Sequence, residues 1–446
     1  MLQKTIKALL GGAVLALVAG TAAWSADLTI WWNKSYYPEE DQRFTEIVKD
    51  WEKQSGKTVD LSFYTNEDAP KKAVAALDAG TPPDLGFGFL YDFDYTPRWA
   101  FEGKLEDVSD VIAAVKDDLT DTAVKSVYLL NGKTGKRSYY AMPTQQQTAH
   151  IHYWKDLIEE AGFKESDIPS KWEDFWAFWC KAQAELKKKG KRVYGMGQTV
   201  SSAASDTTFH FNMFLNAYDV KFMDEDGKLL VDDPKVREGI ITAMKDFIAP
   251  YQNGCVPPGA VNWQDSDNNV NFLNKITIMT PNPSLSIPAS QKNANPDAYA
   301  NKMRTIGYPD GPSGKPIVYM TSIKTAVIFA QGKNKELAKD FMKFLYKPEH
   351  LGPYLQGSLG RWYPVNKSLQ KDPYWTETKD PHLQTHHKQY QEHQTVPFQM
   401  IYNWKYSQLQ AERIWGKAMT RVLLEGASVE DAVDELIARI KQVING

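Results

Sequence analysis

Leu28 to Trp32 (Leu-Thr-Ile-Trp-Trp) is an apolar run of strand length, and Pro38 then opens a helical pattern. In that pattern Phe44, Ile47, Val48 and Trp51 fall on one face until Gly56 closes it. Thr58 to Tyr64 reads as a second strand, Pro70 to Ala79 as a short helix ended by Gly80, and Pro83 to Phe89 as a third strand. The order β-α-β-α-β predicts a mostly parallel sheet flanked by helices. Solutes bind such sheets beyond the carboxyl ends of the strands, so the loops at 33–37 and 89–95 should border a cleft.

Further along, Ser170 to Glu173 has the form of a capping box, and Trp172, Phe175, Trp176 and Trp179 follow at helical spacing as a core face. Asp224 to Gly227 reads as a tight turn into a strand over Leu229, Leu230 and Val231; its carboxylates lack the spacing of a calcium loop. Pro234 starts another helix. Ser428 to Asp431 caps a final one, whose apolar stripe is Ala432, Val433, Leu436, Ile437, Ile440 and Ile444.

The N-terminus adds an address. Lys4 and Lys7 precede an apolar run from Ala8 to Ala19, and Ala23 and Ser25 are the small residues expected before a cleavage site, here placed ahead of Ala26. Residues 1–25 are therefore read as a signal peptide rather than a membrane anchor, which places the mature chain in a periplasm. About 420 residues then remain, more than one core organises, so two lobes are expected. A net charge of −3 with scattered Lys and Arg excludes a basic stripe for nucleic acid or an anionic membrane. Cys180 and Cys255 either pair or stay as buried thiols. Aromatic residues make up 12 % of the chain, with 14 Trp, enough to supply flat plates for a ligand as well as a core.

Six segments, in order, carry a family likeness: Leu28 to Gly56; Ala79-Gly80-Thr81-Pro82-Pro83-Asp84-Leu85; Gly103 to Val108; Tyr140-Ala141-Met142-Pro143 with Tyr153 to Asp156; Lys333 to Leu345; and Gly426 to Val433. Together they resemble the family 1 extracellular solute-binding proteins of ABC importers, of the maltose-binding-protein-like, carbohydrate type. The resemblance implies an α/β, type II periplasmic-binding-protein fold with a ligand cleft at its hinge. It divides the chain into a first lobe over 26–145, a second over 146–320, and a return over 321–446 to the first lobe, with C-terminal helices crossing both. It implies a monomer that takes a small sugar-like solute and delivers it to the permease subunits of an importer, with no enzyme activity, cofactor or metal. One departure is the stretch Asn274 to Leu285, where the family's cleft Trp is missing; Trp263 or Trp362 would then supply the stacking ring.

Sugars need planar donors and acceptors at their rim and aromatic plates on their faces. By position in the family's cleft loops, Asn33, Ser35 and Tyr36 after the first strand and Phe89, Tyr91 and Asp92 after the third are ligand candidates. Gln145 and Gln147 share one face of the strand that crosses between lobes. In the second half, Asn282 and Ser284 sit at a strand end, and Arg361 and Trp362 lie in the turn Gly360 to Pro364. His382, His386, His387 and His393 have helical spacing that suits zinc, but lack a completing ligand and read as a solvated face. Two rivals remain: a secreted glycoside hydrolase, which would need opposed carboxylates such as Asp84 and Asp92, and the same fold holding a polyol or polyamine.

Overall fold

The structure is a computed structural model that describes residues 26–446, so the signal-peptide reading lies outside the described residues. β1 (Leu28–Asn33), β2 (Val59–Tyr64) and β3 (Leu85–Phe87) alternate with helices Pro38–Ser55 and Asp68–Asp78, and β1 pairs in parallel with both other strands. Pro at the first turn and Gly56 at φ 69° begin and end the first helix, as the sequence predicts. The third strand stops at Phe87, short of the expected Phe89. Beyond it the Tyr91 ring packs against Gly88 so closely that a Cβ there would lie 2.6 Å from it.

A hairpin of β4 (Tyr128–Asn131) and β5 (Lys136–Tyr139) leads to β6 (Met142–Thr148), which passes through buried Ala149 into β7 (His150–Trp154). β8 (Tyr194–Met196), β9 (Thr277–Asn282) and β10 (Met303–Ile306) complete a second sheet ordered β10-β7-β9-β8. β11 (Tyr319–Ile328) then returns, antiparallel to β6 and to β3, while β12 (Tyr363–Pro364) takes the far side of β6 and β13 (Thr395–Val396) pairs with the start of β11. The α/β two-lobed fold holds. The expectation of mostly parallel sheets does not: β6 and β11 run in opposite directions, so both sheets are mixed.

Two separate cores follow this path. The first gathers residues from 28–142 and 326–369, and Trp32 sits at its centre, stacked 3.8 Å from Phe44 and 4.3 Å from Phe87 between ring centroids. The second gathers 149–320 and most of the C-terminal apolar stripe, and it holds Trp172, Phe175, Trp176 and Trp179 as the periodicity implies. Ser428 caps the final helix through a bond from Asp431 N. Ser170 does not cap the earlier one: that helix starts at Trp172 behind Lys171 with no side-chain cap, and Phe175 N bonds directly to Lys171 O. The turn at Asp224 to Gly227 forms, with Asp224 Oδ1 accepting from Asp226 N and Lys228 N, but only a single bridge, Met223 to Leu229, stands where a strand was expected.

Cys180 and Cys255 form a disulfide with Cα atoms 5.3 Å apart, tying the Trp-rich helix to the loop after Pro234–Gln252. The bond spans 75 residues, and closing so long a loop restricts the unfolded chain. The double variant Cys180→Ser/Cys255→Ser is expected to lose about 2–4 kcal/mol of stability. Thermal melts of wild type and variant, with and without reductant, check this: reductant should lower only the wild-type midpoint.

Candidate functional site

The loops beyond β1 and β3 are built by their own polar groups before any solute arrives. Asn33 Oδ1 accepts from Phe89 N at 3.0 Å and its Nδ2 donates to Lys34 O, so this side chain ties the two loops together. Ser35 N donates to Asp41 Oδ1, and its hydroxyl donates to Glu40. Tyr91 is buried with its hydroxyl on Ala69 O. Asn33, Ser35 and Tyr91 thus shape the loops rather than face the space between the lobes. What they present there is Phe89 and Tyr36.

Between the lobes lies a cleft whose empty space, counting its opening to solvent, is about 540 Å³. Its first-lobe wall carries Tyr36, Phe89, Gln147, Lys324, Arg361 and Trp362, with Asn66 at the edge. The opposite wall is made by the start of helix Ser205–Ala217 and the loop after β9, contributing Asp206, Phe209, Asn282 and Ser284, together with Asp265 and Asn269. Seven of the sequence-selected residues therefore meet at one cavity: Tyr36, Phe89, Gln147, Asn282, Ser284, Arg361 and Trp362. Gln145 lies on the same strand face as Gln147 but deeper and fully buried. Trp263 is packed in the second core, and Leu285 in a small cluster with Tyr363, Trp375 and Leu383. Trp362 is the tryptophan at the cavity wall.

Arg361 is the centre of the first wall. Its guanidinium carbon lies 4.3 Å from the Tyr36 ring centroid, 4.5 Å from Phe89 and 4.2 Å from Trp362. Trp362 is held by a 2.9 Å bond from its Nε1 to Glu40 Oε1, and Glu40 also accepts from Ser35 and Tyr354. Lys324, a lysine inside a buried strand, donates 2.7 Å to Phe89 O and 3.2 Å to Asp92 Oδ1, while Ser322 donates to Asp92 Oδ2. Burial pushes Lys324 down and Asp92 up against this mutual attraction. Asp92 is therefore committed to an ion pair, and Asp84 accepts from Thr29 N and Asn334 N; neither lines the cavity. The carboxylates that a hydrolase reading would use are structural.

On the second wall, Asp265 accepts from Ser205 Oγ at 2.7 Å and from Asp206 N at 3.1 Å, and Asp206 Oδ2 accepts from Asn268 Nδ2. Burial, with the neighbouring Asp265 charge adding to it, raises Asp206 well above the ordinary carboxylate range. The lobes also touch directly. Arg413 from the second lobe forks onto Asp94 at 2.8 and 3.1 Å, Phe93 stacks on Phe209 with centroids 5.6 Å apart, and Tyr37 donates to Ser286 O. Asp206, Asp265 and Lys324 were missed by reading loops after strands alone. Lys324 had a signal, a lone charge within an apolar run, whereas Asp206 and Asp265 gave none.

The histidines are corrected by the structure. His382 and His386 are not on a solvated face; both are fully buried, on helix Pro381–Glu392, where they meet His150 and His152 of β7. His152 Nδ1 and His382 Nδ1 lie 2.9 and 2.6 Å from the Thr305 hydroxyl, and His150 Nδ1 lies 2.7 Å from Gln389 Oε1. His152 Nε2 reaches Ser284 O, and His386 Nδ1 reaches Gly360 O, so these rings brace the backbone behind both walls of the cavity. Among the described residues no group of three or more His, Cys, Asp or Glu is placed to hold a metal ion, and no helix is long and apolar enough to cross a membrane.

The sequence profile of the family described as bacterial extracellular solute-binding protein matches residues 46–385. The chain belongs to that family. Solved structures share the fold of this solute-binding protein over almost its whole length. An ABC transporter solute-binding protein from Thermotoga lettingae TMO, bound with α-D-tagatose, has a TM-score of 0.75 at 21 % identity, covering 94 % of this chain and 99 % of that one. Maltose-bound MalE3 of T. maritima gives 0.72 at 19 % identity, covering 93 % and 99 %. UgpB from Mycobacterium tuberculosis, in complex with glycerophosphocholine, gives 0.72 at 18 % identity, covering 94 % and 99 %. A comparison with curated proteins finds no match.

Proposed function

We propose that this solute-binding protein is the exported, periplasmic component of an ABC importer, which captures a carbohydrate by hinge closure and presents it to the permease. The observation that carries this reading is the cavity itself: aromatic faces, amides and hydroxyls on both walls, cations on the first and carboxylates on the second, between lobes joined by crossing strands. Hydroxyls donate and accept at once, so a lining that mixes Gln147, Asn282, Ser284 and Asp206 suits a polyhydroxyl solute better than an apolar or purely cationic one. Each such bond contributes on the order of 1 kcal/mol net, so several are needed together. Solved relatives of this fold hold tagatose and maltose, which supports a sugar of small size here.

Closure is favoured only to the extent that the solute contacts the second lobe more in the closed form than in the open one. A thermal-shift panel of mono- and disaccharides, polyols and polyamines should single out one polyhydroxyl class, because a ligand that binds only the native state raises the melting midpoint. Small-angle scattering with that ligand should show a smaller radius of gyration; a ligand that binds without compaction would exclude the hinge mechanism. Export is checked separately: the periplasmic form should have the mass of a chain beginning at Ala26.

A further inference from the structure

We infer that the captured solute carries an anionic group, a carboxylate, sulfonate or phosphate on its hydroxylated skeleton, and that Arg361 receives it in the edge of its guanidinium. This rests on the polyhydroxyl reading above and narrows it.

The inference comes from pairing the charges around the cavity. Lys324 has Asp92 at 3.2 Å, and Arg413 has Asp94 in a two-point fork. Arg361 has no ion pair among the described residues, although only 5 % of it is exposed. Its Nε and Nη1 are buried without a hydrogen-bond partner. Glu40, the carboxylate behind the cage, attracts Arg361 through space, but its oxygens are taken by Ser35, Trp362 and Tyr354 and none bonds to the guanidinium. A buried cation whose hydrogens are unmet is costly to keep, and a counterion that arrives with the solute removes that cost.

The geometry also says which part of Arg361 is on offer. Tyr36, Phe89 and Trp362 surround the guanidinium at 4.2–4.5 Å, so its faces are covered and its N–H edge is what remains. A planar fork of N–H donors matches the two oxygens of an oxyanion, which is why arginine rather than lysine serves such groups. The rings fix the fork in place, so little side-chain freedom is lost when the solute binds. Asp206 and Asp265 on the other wall are felt as far as Tyr36, but burial raises both carboxyls and favours their neutral forms, which lessens their opposition to an anion at Arg361. They belong to the opposite lobe, are tied to Asn268 and Ser205, and present acceptors to the hydroxylated end of the solute.

Titration calorimetry with matched pairs tests this: galactose against galacturonate, glucitol against gluconate, glucose against glucose 6-phosphate, and glycerol against glycerol 3-phosphate. The acidic member of at least one pair should bind tenfold or more tighter than its neutral partner. Arg361→Gln should cut that preference tenfold or more, Arg361→Lys should restore part of it, and residual binding of the neutral member should change less than threefold. Neutral members that bind as tightly as their acids, or an Arg361→Gln variant that weakens both members equally, would overturn the anionic group while leaving the carbohydrate reading intact. Absence of binding by every compound, neutral or acidic, would sink both. If Arg361→Gln does not fold, the matched pairs on the wild-type protein decide alone.

Discussion

Lys324→Met is expected to be the most damaging single substitution near the cleft, lowering stability by about 3–5 kcal/mol and abolishing solute binding. Methionine fills a similar volume but removes the cation paired with Asp92, leaving a buried carboxylate with Ser322 as a side-chain donor. It also strips the donor from Phe89 O, so the loop that forms one side of the Arg361 cage loses its anchor. The cost is that of an orphaned charge and not of the pair itself, so Lys324→Met/Asp92→Asn should recover most of the loss. Denaturant melts of the two single variants and the double variant check this. A double variant no more stable than Lys324→Met would show that the damage lies in packing.

Acid should unfold the protein well above the pH at which its surface carboxylates titrate, and buried histidines are the reason. Burial holds His150 well below the usual histidine range and pushes His210 and His386 down to about 3. Their folded pKa lies below the unfolded value of 6.5. The stability they represent is therefore complete above pH 6.5 and is lost as pH falls below it, because the unfolded chain takes up protons that the folded one refuses. Each contributes a slope of about 1.4 kcal/mol per pH unit, or about 2 kcal/mol at pH 5. Asp206, Asp92 and Glu40, raised by burial, act in the opposite sense and gain stability as pH falls toward the unfolded carboxylate range, so the net slope is smaller than the histidine sum. Melting midpoints between pH 7.5 and 5 should fall, and His386→Asn should flatten that dependence. An unchanged slope in His386→Asn would remove the histidine from the account. Because burial keeps His386 and His152 neutral in the folded protein over this interval, their contacts with Gly360 O and Ser284 O persist, and these rings should leave the solute affinity of the folded protein unchanged.

The parts of this architecture that the sequence makes legible are those set by local periodicity. The first helix, with its Pro start and Gly stop, and the Trp172 to Trp179 face needed nothing beyond spacing to be read. The strands that cross between lobes were harder. Gln145 and Gln147 are equivalent by alternation, yet one is fully buried and the other reaches the cavity, a difference that alternation along one strand does not carry. The histidines failed for a related reason. Lys388 and Gln384 share their helix and suggest water, but the helix lies against β10 and Tyr363, and that packing comes from residues about 80 positions earlier, such as Thr305. Asp206 and Asp265 belong to a wall that exists only when distant segments meet, so no short window of sequence marks them.

The direct contacts between lobes carry a consequence for how tightly the solute must bind. Arg413 on Asp94, Phe93 on Phe209 and Tyr37 on Ser286 link the two halves directly, protein to protein. They lower the free energy of the shut conformer on their own, so part of the population should shut while empty, and the solute contributes only the remaining difference. If the chain serves an importer as proposed, an empty, shut molecule that resembles a loaded one from outside would occupy that importer unproductively. Selection on these contacts is then bounded from both sides: stronger contacts raise apparent affinity but increase idle docking, and weaker ones free the importer but leave dilute solute uncaptured.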